Sequence, residues 1–316
     1  MSWPLLYWRA CWNGLFARNG VDARIKSGDD MLFQSVQRRM GGLRFGMTYT
    51  RTHDWGALTR AEIAQARDAG ALAVLTVGSC EQHGDHLPVD TDTVSAYRVT
   101  MAAAARCKVL SPEGAHVLVL PPPSFGFSPH HQAWAGTVTL KLSTFLALVT
   151  DVAESVQRAG FDRLLIVNGH GGNVGPLTSI CTELVSRGLR VATVGYFSPG
   201  QAVWGPMVPG AMPGVGHACA YETAMQLALR PEERQRIEGR IHGLPPRLVP
   251  AYVDGAVNPL EGTGAIYAAL FPAGDPGYKG DPAAATLEAG EAMLEATIEG
   301  LATFLGAFAS AKLKVG

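Results

Sequence analysis

Ala71-Leu-Ala-Val-Leu-Thr-Val-Gly-Ser-Cys-Glu-Gln-His-Gly-Asp-His-Leu-Pro-Val-Asp-Thr-Asp-Thr93 joins a strand-like segment to a loop crowded with ionisable side chains. Residues 71–77 form an apolar run broken only by Thr76, as expected of a buried strand. The loop beyond carries Glu81, His83, Asp85, His86, Asp90 and Asp92. Open α/β sheets bind ligands at the C-terminal ends of their strands, where this loop falls. Glu, His and Asp are donors that suit Zn²⁺, Mn²⁺ or Fe²⁺. In an extended segment Glu81 and His83 point to one side and Gln82 to the other. Asp92, at the start of the next helix, can return to the same point, although a carboxylate there also serves as a helix cap. Asp85, His86 and Asp90 are alternatives that no geometric argument selects.

Outward from this stretch, helices and strands alternate. Thr59-Arg-Ala-Glu62 is a capping box for a short helix ending at Gly70. An Ala-rich helix is expected over 93–107, and a second strand over 115–120, stopped by Pro121-Pro-Pro123. Ser143 is the expected cap of a helix with Leu146, Val149, Val152 and Val156 at helical spacing. A third strand over 163–167, a helix over 174–187 and a fourth strand over 190–195 follow. Glu222 is expected to open a further helix, 232–280 to be mostly irregular, and Asp281-Pro282 to cap a long Ala-rich helix reaching Ala311. This alternation predicts an α/β fold with a mainly parallel central sheet covered on both faces.

The chain has 316 residues, a formal net charge of −1 and 17% charged residues. The balance argues against nucleic acid or an anionic membrane as main partner, and no apolar run reaches the length of a membrane span. Five cysteines are scattered with no CxxC pair. Neither a disulfide framework nor a thiolate zinc site is indicated, and a cytoplasmic setting is expected. Residues 1–46, rich in Trp, Arg and Gly, lack a helix or strand period. They read as an extension outside the catalytic fold, disordered or arising from a start assigned upstream of Met47, with 47–316 as the catalytic domain.

Most of the nine histidines lie in loops: His83, His86, His130, His131, His170 and His217. Asn168-Gly-His-Gly-Gly-Asn173 sits between a strand and a helix. As a phosphate-cradling turn it fits poorly, because Val174 stands where the dinucleotide fingerprint wants its third glycine. The better reading is that the glycines bring the backbone close to a buried ion and present His170 to it. A nucleotide-binding protein using 168–175 is the rival reading. Glu222 stands five residues after His217, too far for adjacent helical rungs. This places His217 in a loop and Glu222 in a first helical turn. Ser128-Pro-His-His-Gln-Ala-Trp-Ala-Gly-Thr137 reads as a substrate wall rather than a ligand set. Ser128, His131, Trp134 and Gly171 are the expected substrate contacts.

In order along the chain, Gly78-Ser-Cys-Glu-Gln-His-Gly84, Leu87-Pro-Val-Asp-Thr-Asp-Thr93, Ser128-Pro-x-His131, Gly136-Thr137, Asn168-Gly-His-Gly-Gly-Asn173 and His217-Ala-x-x-x-Glu-Thr223 resemble the creatininase (creatinine amidohydrolase) family. The resemblance implies a three-layer α/β/α domain, two divalent metal ions and hydrolysis of a C–N bond in a small cyclic or linear amide by metal-activated water. It further implies a homo-oligomer, commonly a hexamer. Carried over, Glu81, His83, Asp92 and His170 match metal ligands, Glu222 matches the glutamate completing the set, and His217 matches a proton-transfer residue. Gly172 stands where creatinine-hydrolysing members carry a further glutamate ligand. Pro213 and Gly214 replace their substrate-holding Trp-Asp. The resemblance is therefore to the branch of formamide hydrolases and the mycofactocin peptidase. Cys219 and Ala220 replace the Gly-Glu of the usual motif, which keeps an inactive member as a second rival.

Overall fold

The computed structural model describes residues 51–110, 116–210, 215–247 and 275–313. The expected extension 1–46, the Pro213-Gly214 departure and 248–274 of the irregular stretch lie outside them. All described residues belong to one unit of the chain, Thr48–Pro259 with Ala265–Gly316.

Four strands form a parallel sheet in the order β2-β1-β3-β4: β1 (Leu72–Val77), β2 (Val117–Leu120), β3 (Leu164–Asn168) and β4 (Val191–Gly195). The register pairs Val74 with Val119 and Leu165, and Leu165 with Ala192. The strands start one or two residues later than their apolar runs. In the second, His116 still accepts a bond from Leu72 N but is not itself in the strand.

Successive strand residues face opposite ways and feed two cores. Leu72, Val74, Val117, Val119, Leu165, Val167 and Val194 pack beneath α2 (Thr91–Leu110), α5 (Gln201–Trp204), α6 (Ala220–Leu229) and α8 (Leu287–Ser310). Ala73, Leu75, Val77, Leu118, Leu164, Ile166 and Val191 pack beneath α1 (Arg60–Asp68), α3 (Leu142–Arg158) and α4 (Val174–Ser186). The molecule is thus a three-layer α/β/α structure, as expected.

Helix α8 is long and apolar enough to cross a membrane by length and composition alone, although Glu288, Glu291, Glu295 and Glu299 interrupt its apolar sequence. It is instead a core helix. Met293, Leu294, Thr297, Ile298, Leu301, Ala302 and Leu305 are buried, and it packs on α2 and α6. Other expectations shift at helix ends. Thr59 and Glu62 form the expected capping box. Ser143 is not a cap: Lys141 precedes α3, with no side-chain cap bond, so the apolar face rather than a cap sets this helix. Asp281-Pro282 opens only a short 3-10 turn, and the Thr286 side chain caps α8 by accepting from Ala289 N at 3.1 Å. Within the stretch read as irregular, α7 (Arg234–Ile241) buries only Ile237 and Ile241, too sparse a pattern to signal a helix.

Two glycines bring α2 onto the ends of β1 and β3. A Cβ at Gly78 would stand 2.4 Å from Thr93 N, and one at Gly169 would stand 2.4 Å from Asp92 O. Any side chain at either position would push Asp92 away from the strand ends.

Candidate metal centre

Loops following β1, β2 and β3 meet the first turns of α2 and α6 at the C-terminal end of the sheet. Glu81 and His83 come from the loop after β1, Asp92 from the start of α2, and His170 from the turn after β3. Glu81 and His83 are fully buried, and Asp92 and His170 nearly so. His83 Nε2 is 3.2 Å from Asp92 Oδ1. His170 Nδ1 is 3.0 Å from Asp92 Oδ2 and 3.2 Å from Glu81 Oε1. Ligand atoms of Glu81, His83 and Asp92 lie within 4.8 Å of one another, as do those of His83, His217 and Glu222. The structure therefore brings together all five expected ligands and His217.

The rings are held from behind. His83 Nδ1 is 3.1 Å from Glu81 O. A carbonyl only accepts, so Nδ1 carries a hydrogen and Nε2 faces the cluster, an arrangement usual for ligating histidines. His217 Nε2 donates to Gln82 O at 2.8 Å, leaving Nδ1 toward Glu81 Oε1 at 3.7 Å. A two-bond backbone bridge between His217 and Lys279 holds this loop, with N–O distances of 3.3 and 2.7 Å. Gly84 N donates to Gln82 Oε1 at 2.9 Å, so the Gln82 amide nitrogen is free to donate to His131 Nδ1 at 2.9 Å. His131 Nε2 then lies 3.5 Å from Glu81 Oε1, and its ring stacks on His217 at 4.2 Å.

Electrostatics follow from burying three carboxylates together. Burial pushes the Glu81 carboxyl up and the Glu222 carboxyl up to about 7. Burial opposes the Asp92 charge too, but His83 and His170 hold it below the usual carboxylate range. Burial disfavours charge on His83 and His170, yet the adjoining carboxylates raise both to about 10. Burial, then the neighbouring charged rings, hold His131 and His217 well below the ordinary histidine value. Burial lowers His130 to about 4.

These residues fit divalent cations. Glu81 Oε1 and Oε2, Asp92 Oδ2, Glu222 Oε2 and His170 Nε2 are buried and make no hydrogen bond, whereas native proteins satisfy nearly all such atoms. Among the described residues, every ion pair of Glu81 and Asp92 is with a histidine, none with Lys or Arg. Protons on His83 and His170 stand in for the missing positive charge. A mixed carboxylate–imidazole set suits zinc, manganese or iron.

The alternatives go elsewhere. Asp85 is exposed, Asp90 pairs with Arg230, and His86 Nε2 donates to Ala218 O at 3.1 Å. Of the expected substrate contacts, Ser128 is fully buried, with its hydroxyl 2.7 Å from that of Ser79. It ties two loops together. Trp134 Nε1 donates to Asp275 O at 2.9 Å, and Gly171 is exposed beside the site. His131 reaches into the cluster, with Nε2 3.5 Å from Glu81 Oε1. Cys219 is buried as the residue before α6, accepting from Gly216 N at its sulfur, and Ala220 is buried. The 168–173 turn is filled from within: Asn173 accepts from Phe127 N and donates to Gly78 O, both at 3.0 Å. This leaves little of a phosphate cradle. Sequence reading missed Gln82, Asn168, Asn173 and His130. The asparagines bracketing the glycine turn were a readable signal, since Asn is a strong turn-former.

Comparison with known proteins adds an independent line. The sequence model of the family "Creatininase: Creatinine amidohydrolase" matches residues 56–305. The chain is 31% identical over 249 residues to the mycofactocin precursor peptide peptidase of Mycobacterium tuberculosis (strain CDC 1551 / Oshkosh), covering 77% of this chain and 88% of that protein. It is 28% identical over 264 residues to the creatinine amidohydrolase of Pseudomonas putida, covering 78% and 94%. Among solved structures, one of creatinine amidohydrolase superposes with a TM-score of 0.66 at 26% identity, covering 83% and 100%. A Zn–Zn type glutamine variant of creatininase superposes with a TM-score of 0.62 at 28% identity, covering 79% and 96%.

Proposed function

Because the chain belongs to the creatininase family, we propose that it is an amidohydrolase with a dinuclear metal centre, cleaving the C–N bond of a small cyclic or linear amide. The observation that carries this reading is the buried set Glu81, His83, Asp92 and His170, in which both Glu81 oxygens and Asp92 Oδ2 lack hydrogen bonds and the carboxylates face imidazoles only. Glu222 completes the set. These side chains would hold two divalent ions, zinc, manganese or iron, which would supply a water of lowered pKa and polarise a carbonyl.

His217 moves the proton. Its Nε2–H is committed to Gln82 O, so Nδ1 is the working atom. Held well below its usual pKa, the ring is neutral at pH 7. It accepts the proton given up by the attacking water and delivers it to the departing nitrogen, which is a poor leaving group without it. Gln82 keeps His217 and His131 in register. His131, Trp134 and Gly171 border the space for substrate.

Creatinine is not the expected substrate, given Gly172. Relatives named as mycofactocin precursor peptide peptidases favour a formamide-like or peptide-like amide instead. We place the enzyme in the cytoplasm, where its free thiols Cys80, Cys107, Cys181 and Cys219 stay reduced. A homo-oligomer, such as a hexamer, would cover exposed Val89, Phe125, Val138, Leu142 and Val174, which all follow the C-terminal ends of strands. The test is metal analysis, then a screen of metal-loaded protein against lactams, formamides, ureas and short peptides. About two ions per chain with turnover of an amide supports the reading. Absence of bound metal with tight nucleotide binding overturns it, and full metal content with no turnover on any amide marks an inactive member.

A further inference from the structure

His130 has no part in the reading above, yet it stands in the centre. Its ring is nearly parallel to that of His170, with centroids 5.4 Å apart and planes 10° apart. Ligand atoms of Glu81, His130 and His170 lie within 4.8 Å of one another. Glu81 is shared by three groupings: with His83 and Asp92, with His131 and His217, and with His130 and His170, in which His130 is half-buried. Both Glu81 oxygens are buried and neither makes a hydrogen bond.

Gly172 is what admits the grouping with His130 and His170. A Cβ there would stand 2.4 Å from His170 Nε2, 2.8 Å from Phe127 O and 2.9 Å from His130 Cε1. One of these neighbours is backbone and cannot yield. No side chain at 172 can coexist with both imidazoles in their present places. Gly172 is therefore a steric condition for the stack of His130 on His170.

We infer that His130 is a ligand of the second divalent ion, held jointly with Glu81 and His170. Two imidazoles and one carboxylate form a donor set that leaves coordination positions open for water and substrate. This inference rests on the proposed metal centre and assigns one more of its ligands. It also changes the role of the Pro129–His131 turn, which then contributes to the ion seat as well as to the substrate wall.

The test compares zinc content and zinc affinity, by chelator competition, in full-length wild-type, His130→Ala and His130→Gln proteins. The expected result is one ion per variant chain, or a second ion weakened by more than about 100-fold. That exceeds the 10–100-fold loss typical when a group merely supports a ligand. A second ion retained within that range overturns the inference. Anomalous diffraction from zinc-loaded wild-type crystals decides the matter without any variant. A zinc peak about 2.0–2.1 Å from a His130 nitrogen supports the assignment, and one with His130 out of bonding range overturns it. Wild-type protein that takes up no divalent ion defeats the hydrolase reading itself. Wild-type protein with two ions and unaffected variants defeats only the role of His130.

Discussion

Asn168 grips the peptide on both sides of His170: its amide nitrogen donates to His170 O at 2.6 Å and its oxygen accepts from His170 N at 3.1 Å. The last residue of β3 thereby aims the imidazole that follows it. Asn168→Ala should let the turn rotate, weaken metal binding by about 10–100-fold and cost about 1–3 kcal/mol through unsatisfied buried groups. Chelator competition and thermal melting read the two effects separately. Unchanged metal affinity would show that the glycine turn alone positions His170.

His217 faces the centre with Nδ1 while Nε2 is tied to Gln82 O. His217→Ala should keep both ions and lower kcat by about 10²–10⁴. Metal analysis beside steady-state kinetics checks this. Loss of an ion in the variant would instead make His217 a ligand with His83 and Glu222, with which it also groups.

Metal uptake should release protons. In the metal-free protein His83 and His170 stay protonated up to about 10, and Glu222 up to about 7, and ligands bind as their deprotonated forms. Affinity should therefore rise with pH and fall on acidification. Calorimetry in buffers of different ionisation enthalpy measures the protons released. Stability runs the other way. Both histidines are raised above their unfolded value, so their contribution is full below about 6.5 and is lost as pH rises through about 10. The raised carboxyls of Glu81 and Glu222 act in the same direction from lower pH. Melting of metal-free and metal-loaded protein should thus diverge as pH rises. A constant gap between them contradicts this account.

The wall beside Trp134 hangs on one ion pair. Arg247 makes a bidentate contact with nearly buried Asp275, at 2.8 and 2.7 Å, and Asp275 O in turn receives the Trp134 indole N–H. Arg247→Ala should cost about 1–3 kcal/mol, less than the 3–5 of a fully buried pair because Arg247 retains some exposure. It should raise KM more than it lowers kcat. Equal losses in kcat and kcat/KM would place Trp134 in the chemistry rather than at the wall.

What could be read from the chain was local. Apolar runs named the four strands because a strand buried on both faces leaves no room for alternation. The loop after β1 named Glu81 and His83 because two residues of extended chain aim their side chains alike. The rest depends on contacts far apart in sequence. Gln82, correctly read as pointing away from its neighbours, points toward His131 and His217, a meeting no spacing rule foretells. His130 passed for a wall residue because its partner is His170, on another loop. Helix α7 was hidden by its polar sequence, which only Ile237 and Ile241 interrupt.

In a chain growing from its N-terminus, the sheet is complete by Gly195, and Glu81, His83, Asp92 and His170 already lie behind that point. His217 arrives later and is seated through its backbone bridge to Lys279. Residues from both ends of the described chain therefore have to meet before the cluster is closed, so a truncation before Lys279 removes the anchor of the His217 loop.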